Sequence, residues 1–462
     1  MNRRTFIQMT AGSVVASASR PRMAAKPQTT GPIGANERIR MAIIGTGNRG
    51  NEVLTSFSQA KHLNVFVAAC DVFKERLDST VQRLSTDGTK VDSYEDYRRV
   101  LDRKDVDGVL IATPDHWHPK ITIDACTAGK DVYMEKPSCN DPAIEEAVRA
   151  IPIARKHNRV VQVGTEQRSW PMFGEARELI PDLGGVTHVV IQFAGGGSPA
   201  TEPVVPAPEG LNWDMFQGPA SRKPYKSGRH RGWRYYLDYG GGLMTDWGVH
   251  LVDTALWFMN AQLEAPKITM GIGQYVNVEN PDHDRPHNAF TGSWQYSKFV
   301  MTFSNVVMGD PEFPASGTVF YGPRGALVIN RQGYMLRPSA SGGRGRAAAP
   351  TATPGAAVPV GAASVPGAAD RGRGGGAQGR SSQPAVPPLN GKLIRAQPGN
   401  GTAMSTTLHV ENFLECVKSR QKPVSDIEIG FFATLPCVLS LRSMREGRAY
   451  AWDAAKMAPK AL

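Results

Sequence analysis

The sequence predicts an α/β protein: a doubly wound parallel sheet in its N-terminal part, followed by an α+β region with a large, mostly antiparallel sheet. Three observations carry that prediction. Up to about residue 165, short apolar runs alternate with amphipathic helical stretches, the pattern of strands joined by crossover helices. Residues 41–50 read M-A-I-I-G-T-G-N-R-G, an apolar run that ends on Gly45, Gly47 and Gly50. Beyond Gly164 the alternation stops and longer β-like runs take over.

In the first part, strands are predicted at 40–44, 64–70, 108–112, 131–134 and 160–163, and helices at 50–60, 74–85, 94–102, 119–127 and 141–156. In the second, strands are predicted at 187–193, 267–276, 290–296, 299–307 and 318–329, and helices at 172–180, 243–259, 408–419 and 431–443. Residues 339–400 are rich in Ala, Gly, Pro and Arg. Such a segment buries too little apolar area to offset its ordering entropy, so it is predicted to be disordered. It interrupts the second domain, where a surface loop tolerates it because closure entropy grows slowly with length. Neutral loop expansion is its plainer reading, and a tether for anionic polymers its functional one. The organisation is then a signal and linker at 1–36, a nucleotide-binding domain at 37–165, and a second domain at 166–338 and 401–462 around the 339–400 insert.

The glycines define the first chemistry. Gly45, Gly47, Asn48, Arg49 and Gly50 form a G-x-G-x-x-G turn between a strand and a helix. The first glycine permits a tight turn and the second a close approach to a pyrophosphate. The third lets helix and strand pack, with phosphates on free N–H groups at the helix start. Asp71 ends the next apolar run, where a ribose-binding acid belongs in a Rossmann domain. A carboxylate repels a 2′-phosphate, so NAD is expected; Lys74 and Arg76 close behind leave NADP open.

The first residues carry a targeting message. Arg3 and Arg4 precede an apolar stretch, and Ala16-Ser17-Ala18 is a small-x-small cleavage candidate. This reads as a twin-arginine export signal, with the twin-arginine machinery as partner and the periplasm as destination. The periplasm offers little free dinucleotide, so the cofactor is expected to be bound before export and held tightly. No other stretch reads as a membrane span. The net charge of +11 is local: residues 1–26 carry five cations and no acid, and residues 341–400 carry seven cations against Asp370 alone. These two segments account for the whole excess, so no nucleic-acid function is read from it. The five cysteines, Cys70, Cys126, Cys139, Cys416 and Cys437, form no C-x-x-C pair, and no disulfide framework is expected.

Two further clusters bear chemistry. Met134-Glu135-Lys136-Pro137 closes a predicted parallel strand, and ligands bind at the carboxyl ends of such strands. Gly240–Asp253 contains D-W-G-V-H-L-V-D, placing Asp246 and His250 at i and i+4 on one helical face, with Asp253 continuing that edge. A carboxylate one turn from an imidazole suits proton transfer from a sugar hydroxyl, although a helix-start acid beside a structural histidine has the same spacing. Glu166, Gln167 and Arg168 follow the last strand of the first part and are placed to reach a pocket there. Trp233 lies among aromatic residues suited to sugar C–H faces or to core packing. Asp115, His116 and His118, and His283, Asp284 and His287, have short spacings without a cysteine partner, and no metal is expected.

Taken jointly, G-x-G-x-x-G, E-K-P at 135–137 and D-W-G-x-H-x-x-D at 246–253 resemble the glucose–fructose oxidoreductase/inositol dehydrogenase/rhizopine-catabolism (Gfo/Idh/MocA) family. T-P-D-H-W-H at 113–118 is similar to that family too. The resemblance covers about 37–337 and 401–450. It implies a Rossmann domain with a second α+β domain, and an NAD(P)-dependent oxidoreductase of a sugar, polyol or glycoside. It implies Lys136 as the active-site lysine, Asp246 as a substrate-binding carboxylate and His250 as proton acceptor. Thr113, Pro114, His118, Glu135 and Lys136 then join the expected cofactor contacts. Gln167, Arg168, Trp233 and Asp253 are expected to reach the substrate. A homo-oligomer is expected. Two other readings stand beside this one: an NAD-dependent glycosidase working by oxidation, elimination and reduction, and a non-catalytic cofactor- or carbohydrate-binding protein.

Overall fold

The structure, a computed structural model, describes residues 38–85, 88–305, 316–339, 389–395 and 401–462. The export signal and most of the insert therefore lie outside the described residues. Among the described residues from Ile39 onward, strands form two sheets within one compact unit.

The first sheet contains β1 (Ile39–Ile44), β2 (Asn64–Cys70), β3 (Asp92–Tyr94), β4 (Gly108–Ile111), β5 (Asp131–Met134) and β6 (Val161–Val163). Its order is β3-β2-β1-β4-β5-β6, and every neighbouring pair is parallel. The strands are short and almost wholly apolar because crossover helices cover both faces. Strand order reverses between β1 and β4, which opens a crevice at their carboxyl ends. The expected helix at 94–102 shortens to Tyr97–Leu101. The preceding residues pair as β3, and Asp96 caps the helix by accepting from the Arg98 N–H.

The second sheet contains β7 (His188–Phe193), β8 (Ile268–Gln274), β9 (Ala289–Gln295), β10 (Val300–Ser304), β11 (Ser316–Gly322), β12 (Gly325–Asn330), β13 (Gly333–Pro338), β14 (Lys392–Arg395), β15 (Tyr450–Asp453) and β16 (Ala458–Ala461). Its order is β14-β13-β12-β11-β7-β10-β9-β8-β15-β16, antiparallel except for β7 with β10. The expected run at 318–329 is a hairpin, broken where Pro323 and Arg324 turn the chain. The disorder expected through residue 400 fails at Lys392–Arg395, which pairs with β13 in register. A sheet edge supplies backbone partners that the composition of the segment does not reveal.

The helix Ile427–Glu446 joins the two layers. Phe431, Leu435, Val438 and Leu439 belong to the core beside the first sheet, and Ala433, Cys437 and Leu441 to the core beside the second. Its middle is apolar on all sides because that stretch is buried on all sides, while Arg445 and Glu446 at its end are exposed. This corrects the reading that no further stretch is apolar enough to span a membrane: among the described residues this helix is long and apolar enough, and it is mostly buried inside the fold. Each large side chain buried there contributes about 1.5–3 kcal/mol of transfer free energy. All five cysteines are buried thiols.

Candidate active site

The glycine turn closes over the end of β4. Gly45 has φ +92°, and a Cβ there would stand 2.7 Å from the Ala112 carbonyl. A Cβ on Gly50 would stand 2.3 Å from the Gly45 oxygen, so helix and strand pack closely only with glycine. Gly47 caps the helix Asn48–Gln59 without a side-chain bond, leaving first-turn N–H groups for an anion. Asp71 accepts from the Thr46 N–H at 2.6 Å, the Thr46 hydroxyl at 2.9 Å and the Phe73 N–H at 2.9 Å. It thus braces the glycine turn while lining the crevice. The crevice wall continues through Thr113, Pro114, Trp117, Phe216 and Trp233. The Phe216 carbonyl accepts from the Trp117 indole at 2.9 Å, which fixes the helix Trp213–Gln217 against it. Thr113, Pro114 and Trp233 were expected near the ligands, whereas Phe216 was not foreseen, because an apolar residue in a long loop gives no periodic signal. Asn48 stands exposed at the helix start and lines neither half of the crevice.

The other half is charged. Ala112, Thr113 and Trp233 line both halves, so the two are continuous. Lys136 follows β5, joined to Pro137 by a cis peptide bond. Its Nζ donates to Asp246 Oδ1 and to the Asp246 carbonyl, both at 2.6 Å. Arg234 Nε reaches the same Oδ1 at 3.2 Å. Burial alone would raise the Asp246 pKa, but Lys136 and Arg234 hold it well below the usual carboxylate range. One turn on, His250 is 5% exposed and lines the same pocket. Burial pushes its pKa well down, with Lys136, Arg331 and Arg49 acting in the same direction and Glu166 against them. The ring is therefore neutral at physiological pH.

His118 and Arg49 take positions other than a simple cofactor contact. The His118 ring nitrogens lie 2.7 Å from the Pro137 carbonyl and 2.8 Å from the Thr113 carbonyl, which ties the ends of β4 and β5 together beside Lys136. Two carbonyls favour the doubly protonated ring, and burial opposes it, pulling the pKa down to about 4. Arg49 pairs with Glu135 at 3.1 Å and approaches Glu166 at 3.7 Å, in the charged half rather than over the glycine turn. Asp115 also faces this half, and burial raises its pKa well above the ordinary value.

The expectation that Gln167, Arg168 and Asp253 meet a substrate is corrected by their burial. Arg168 grips Asp253 through three contacts of 2.8–2.9 Å, and neither lines the pocket. Asp253 lies seven residues past Asp246, about 10 Å further along the helix, and is buried. Gln167 is 2% exposed and absent from the lining. The residue of that turn that reaches the pocket is Glu166. Arg331, from the turn between β12 and β13, enters from the second sheet and pairs with Glu166 at 3.1 Å. No local pattern marks it. Among the described residues, no three His, Cys, Asp or Glu side chains converge as metal ligands.

A crevice with backbone shaped for a pyrophosphate at one end and a neutral imidazole at the other defines the class of nicotinamide-dependent oxidoreductases. Two models of one oxidoreductase family match the chain: its NAD-binding Rossmann fold over residues 39–165, and its C-terminal alpha/beta domain over residues 182–299. The chain belongs to this Gfo/Idh/MocA family and is an NAD-dependent oxidoreductase. It is 25% identical to scyllo-inositol 2-dehydrogenase (NAD(+)) of Bacillus subtilis over 304 residues, 65% of this chain and 73% of that one. It is 26% identical to rhizopine catabolism protein MocA of Rhizobium meliloti over 221 residues, 48% of this chain and 57% of that protein. A glycosyl hydrolase family 109 protein of Saccharopolyspora erythraea is 33% identical over 109 residues, only 22% of this chain and 24% of its own. Among solved structures, levoglucosan dehydrogenase with NADH and L-sorbose superposes with a TM-score of 0.60 at 14% identity, covering 89% of this chain and 98% of its own. Aldose-aldose oxidoreductase from Caulobacter crescentus, complexed with glycerol, gives 0.59 at 19% identity, covering 90% and 99%. These two likenesses are of fold.

Proposed function

We propose that this protein oxidises a hydroxyl of a neutral sugar or polyol, with His250 as the proton acceptor. The observation that carries the reading is the single pocket shared by Lys136, Asp246 and the neutral His250, continuous with the dinucleotide crevice. The chain has residues to hold NAD: the Gly45–Gly50 turn for the pyrophosphate, Asp71 for a ribose and the Thr113–Pro114 wall. NAD, when bound, supplies the hydride acceptor. His250 takes the hydroxyl proton, and the Lys136 ammonium donates to the oxygen as it gains negative charge. Asp246 holds Lys136 in place. Four cations of the pocket meet four acids, Arg49 with Glu135 and Glu52, Arg331 with Glu166, and Lys136 and Arg234 sharing Asp246, which supports an uncharged substrate. The relative named for scyllo-inositol supports the same class.

Asp115 favours a second reading. Burial raises the pKa of this carboxyl well above the ordinary value, which suits it to a second proton-donor role in the elimination of an aglycone from an oxidised glycoside. One experiment separates the readings. The dinucleotide released from purified protein is identified, and sugars, polyols and aryl glycosides are screened for NADH formation and for aglycone release. NADH from a polyol supports the first reading, and aglycone release without net NADH the second. Neither activity, with no dinucleotide bound, overturns both.

The proposal extends to cell and assembly. The twin-arginine reading of residues 1–36 supports export of folded protein with NAD tightly held, tested by cofactor retention through dialysis and by fractionation of the native host. The outer face of the second sheet carries a row of exposed side chains in register, Ile268, Gln295, Val300, His188 and Tyr321, with Met270 and Ile272 beside it. That apolar face supports a homo-oligomer, tested by light scattering.

A further inference from the structure

Glu166 sits in the turn after β6, 1% exposed, with its carboxylate among three cationic or basic groups. Its Oε1 takes Arg331 at 3.1 Å, and its Oε2 lies 3.7 Å from both Arg49 and His250 Nδ1. Glu166 Oε2 and His250 Nδ1 are both fully enclosed, and neither has a hydrogen-bond partner among the described residues. Two unmatched polar atoms that face each other inside a protein are a pair waiting to shorten, since each left alone keeps the full cost of its desolvation. A carboxylate only accepts, so the matching ring nitrogen is a donor.

We propose that Glu166 is a positioning residue for the proton acceptor: it holds the Nδ1–H tautomer of His250 and so leaves the Nε2 lone pair for the substrate hydroxyl. The inference rests on the reading of His250 as the base. Five charged groups face this imidazole: Lys136 beyond β5, Arg49 from the first helix, Arg331 from the β12–β13 turn, Asp246 one turn back on its own helix, and Glu166. The three cations repel a proton on the ring. Glu166 is the acid that opposes them at Nδ1, and Asp246 is already engaged by Lys136 and Arg234. Arg331 and Arg49 keep Glu166 ionised: burial would raise its pKa, but His250, Arg49 and Arg331 hold it well below the usual carboxylate range. A base, the group that fixes its tautomer and a cation that fixes that group thus come from three separate elements.

The test uses the full-length enzyme loaded with NAD. Glu166→Gln keeps the shape and removes the charge. The expected result is a fall in kcat of about tenfold or more, smaller than that of His250→Ala, with KM little changed. The acid limb of the kcat profile should move to lower pH, because the group that raises the His250 pKa is gone. Glu166→Asp should return the limb toward its original position. An unmoved limb in Glu166→Gln overturns the proposal. If that variant does not fold, nitrogen NMR of 15N-histidine-labelled wild type decides, with the His250 signals assigned by their loss in His250→Gln. Protonation at Nδ1 supports the proposal, and protonation at Nε2 overturns it. Full turnover in His250→Gln would instead remove the base reading itself, whichever tautomer the spectrum gives.

Discussion

The two halves of the crevice are built on opposite principles. The dinucleotide half is backbone and apolar wall: a glycine turn, a helix start, Pro114, Trp117 and Phe216, with Asp71 as its bracing acid. The charged half is a lattice of paired charges, in which Lys136, Asp246, Glu166, Arg331, Arg49 and Glu135 hold one another. A cofactor of fixed shape is met by fixed backbone, whereas a developing charge is met by side chains that are ordered in advance. Damage to each half should therefore have a different signature.

The largest effect is expected beneath the charged half, at the Arg168–Asp253 pair. Asp253→Ala leaves a buried guanidinium unpaired and should cost about 3–5 kcal/mol of stability, read by urea unfolding. Folded material should keep its KM; a raised KM with unchanged stability would place Asp253 in the pocket after all. Next comes His250→Ala, expected to lower kcat by roughly 100-fold or more with NAD affinity unchanged. Loss of NAD binding there would blur the division between the halves. In the dinucleotide half, Gly45→Ala puts a Cβ against the Ala112 carbonyl at positive φ and should cost about 1–3 kcal/mol. It should weaken NAD binding and spare kcat at saturation.

The sharpest electrostatic contrast is with pH. Asp246 has a folded pKa below its unfolded one, so its stabilisation is present above the ordinary carboxylate range and is lost as pH falls through that range and beyond. The stability difference between wild type and Asp246→Asn should then shrink from pH 6 toward pH 3. A difference constant with pH would mean that the Lys136 pairing adds nothing. The smallest effect concerns Arg76, which lies beside Gly47 while Asp71 is engaged by Thr46 and Phe73. Arg76→Ala should weaken NADP by about tenfold and leave NAD unchanged, as titration of cofactor fluorescence would report.

Local chemistry was legible to different depths in the two halves. The glycine turn, Asp71 and the strands around them follow from short-range pattern, and each lies where that pattern placed it. Asp246 and His250 follow from helical spacing, so their shared face was readable too. Asp253 satisfies the same spacing and yet points into an ion pair, because periodicity gives direction but not depth. Glu166 was marked only as near the pocket, beside Gln167 and Arg168, which turn away. Arg331 had no signal at all, since a charged residue in a hairpin turn is ordinarily solvated.

By itself the sequence determined the class of fold, the dinucleotide turn and the helix that bears the imidazole, because backbone dihedrals and side-chain period act over a few residues. Tertiary structure alone decided which charges meet. Lys136 and Asp246 are 110 positions apart and Glu166 and Arg331 are 165 apart. Whether such groups are paired, buried or solvated depends on the packing of two sheets around one shared helix, and so does every pKa on which the chemistry rests.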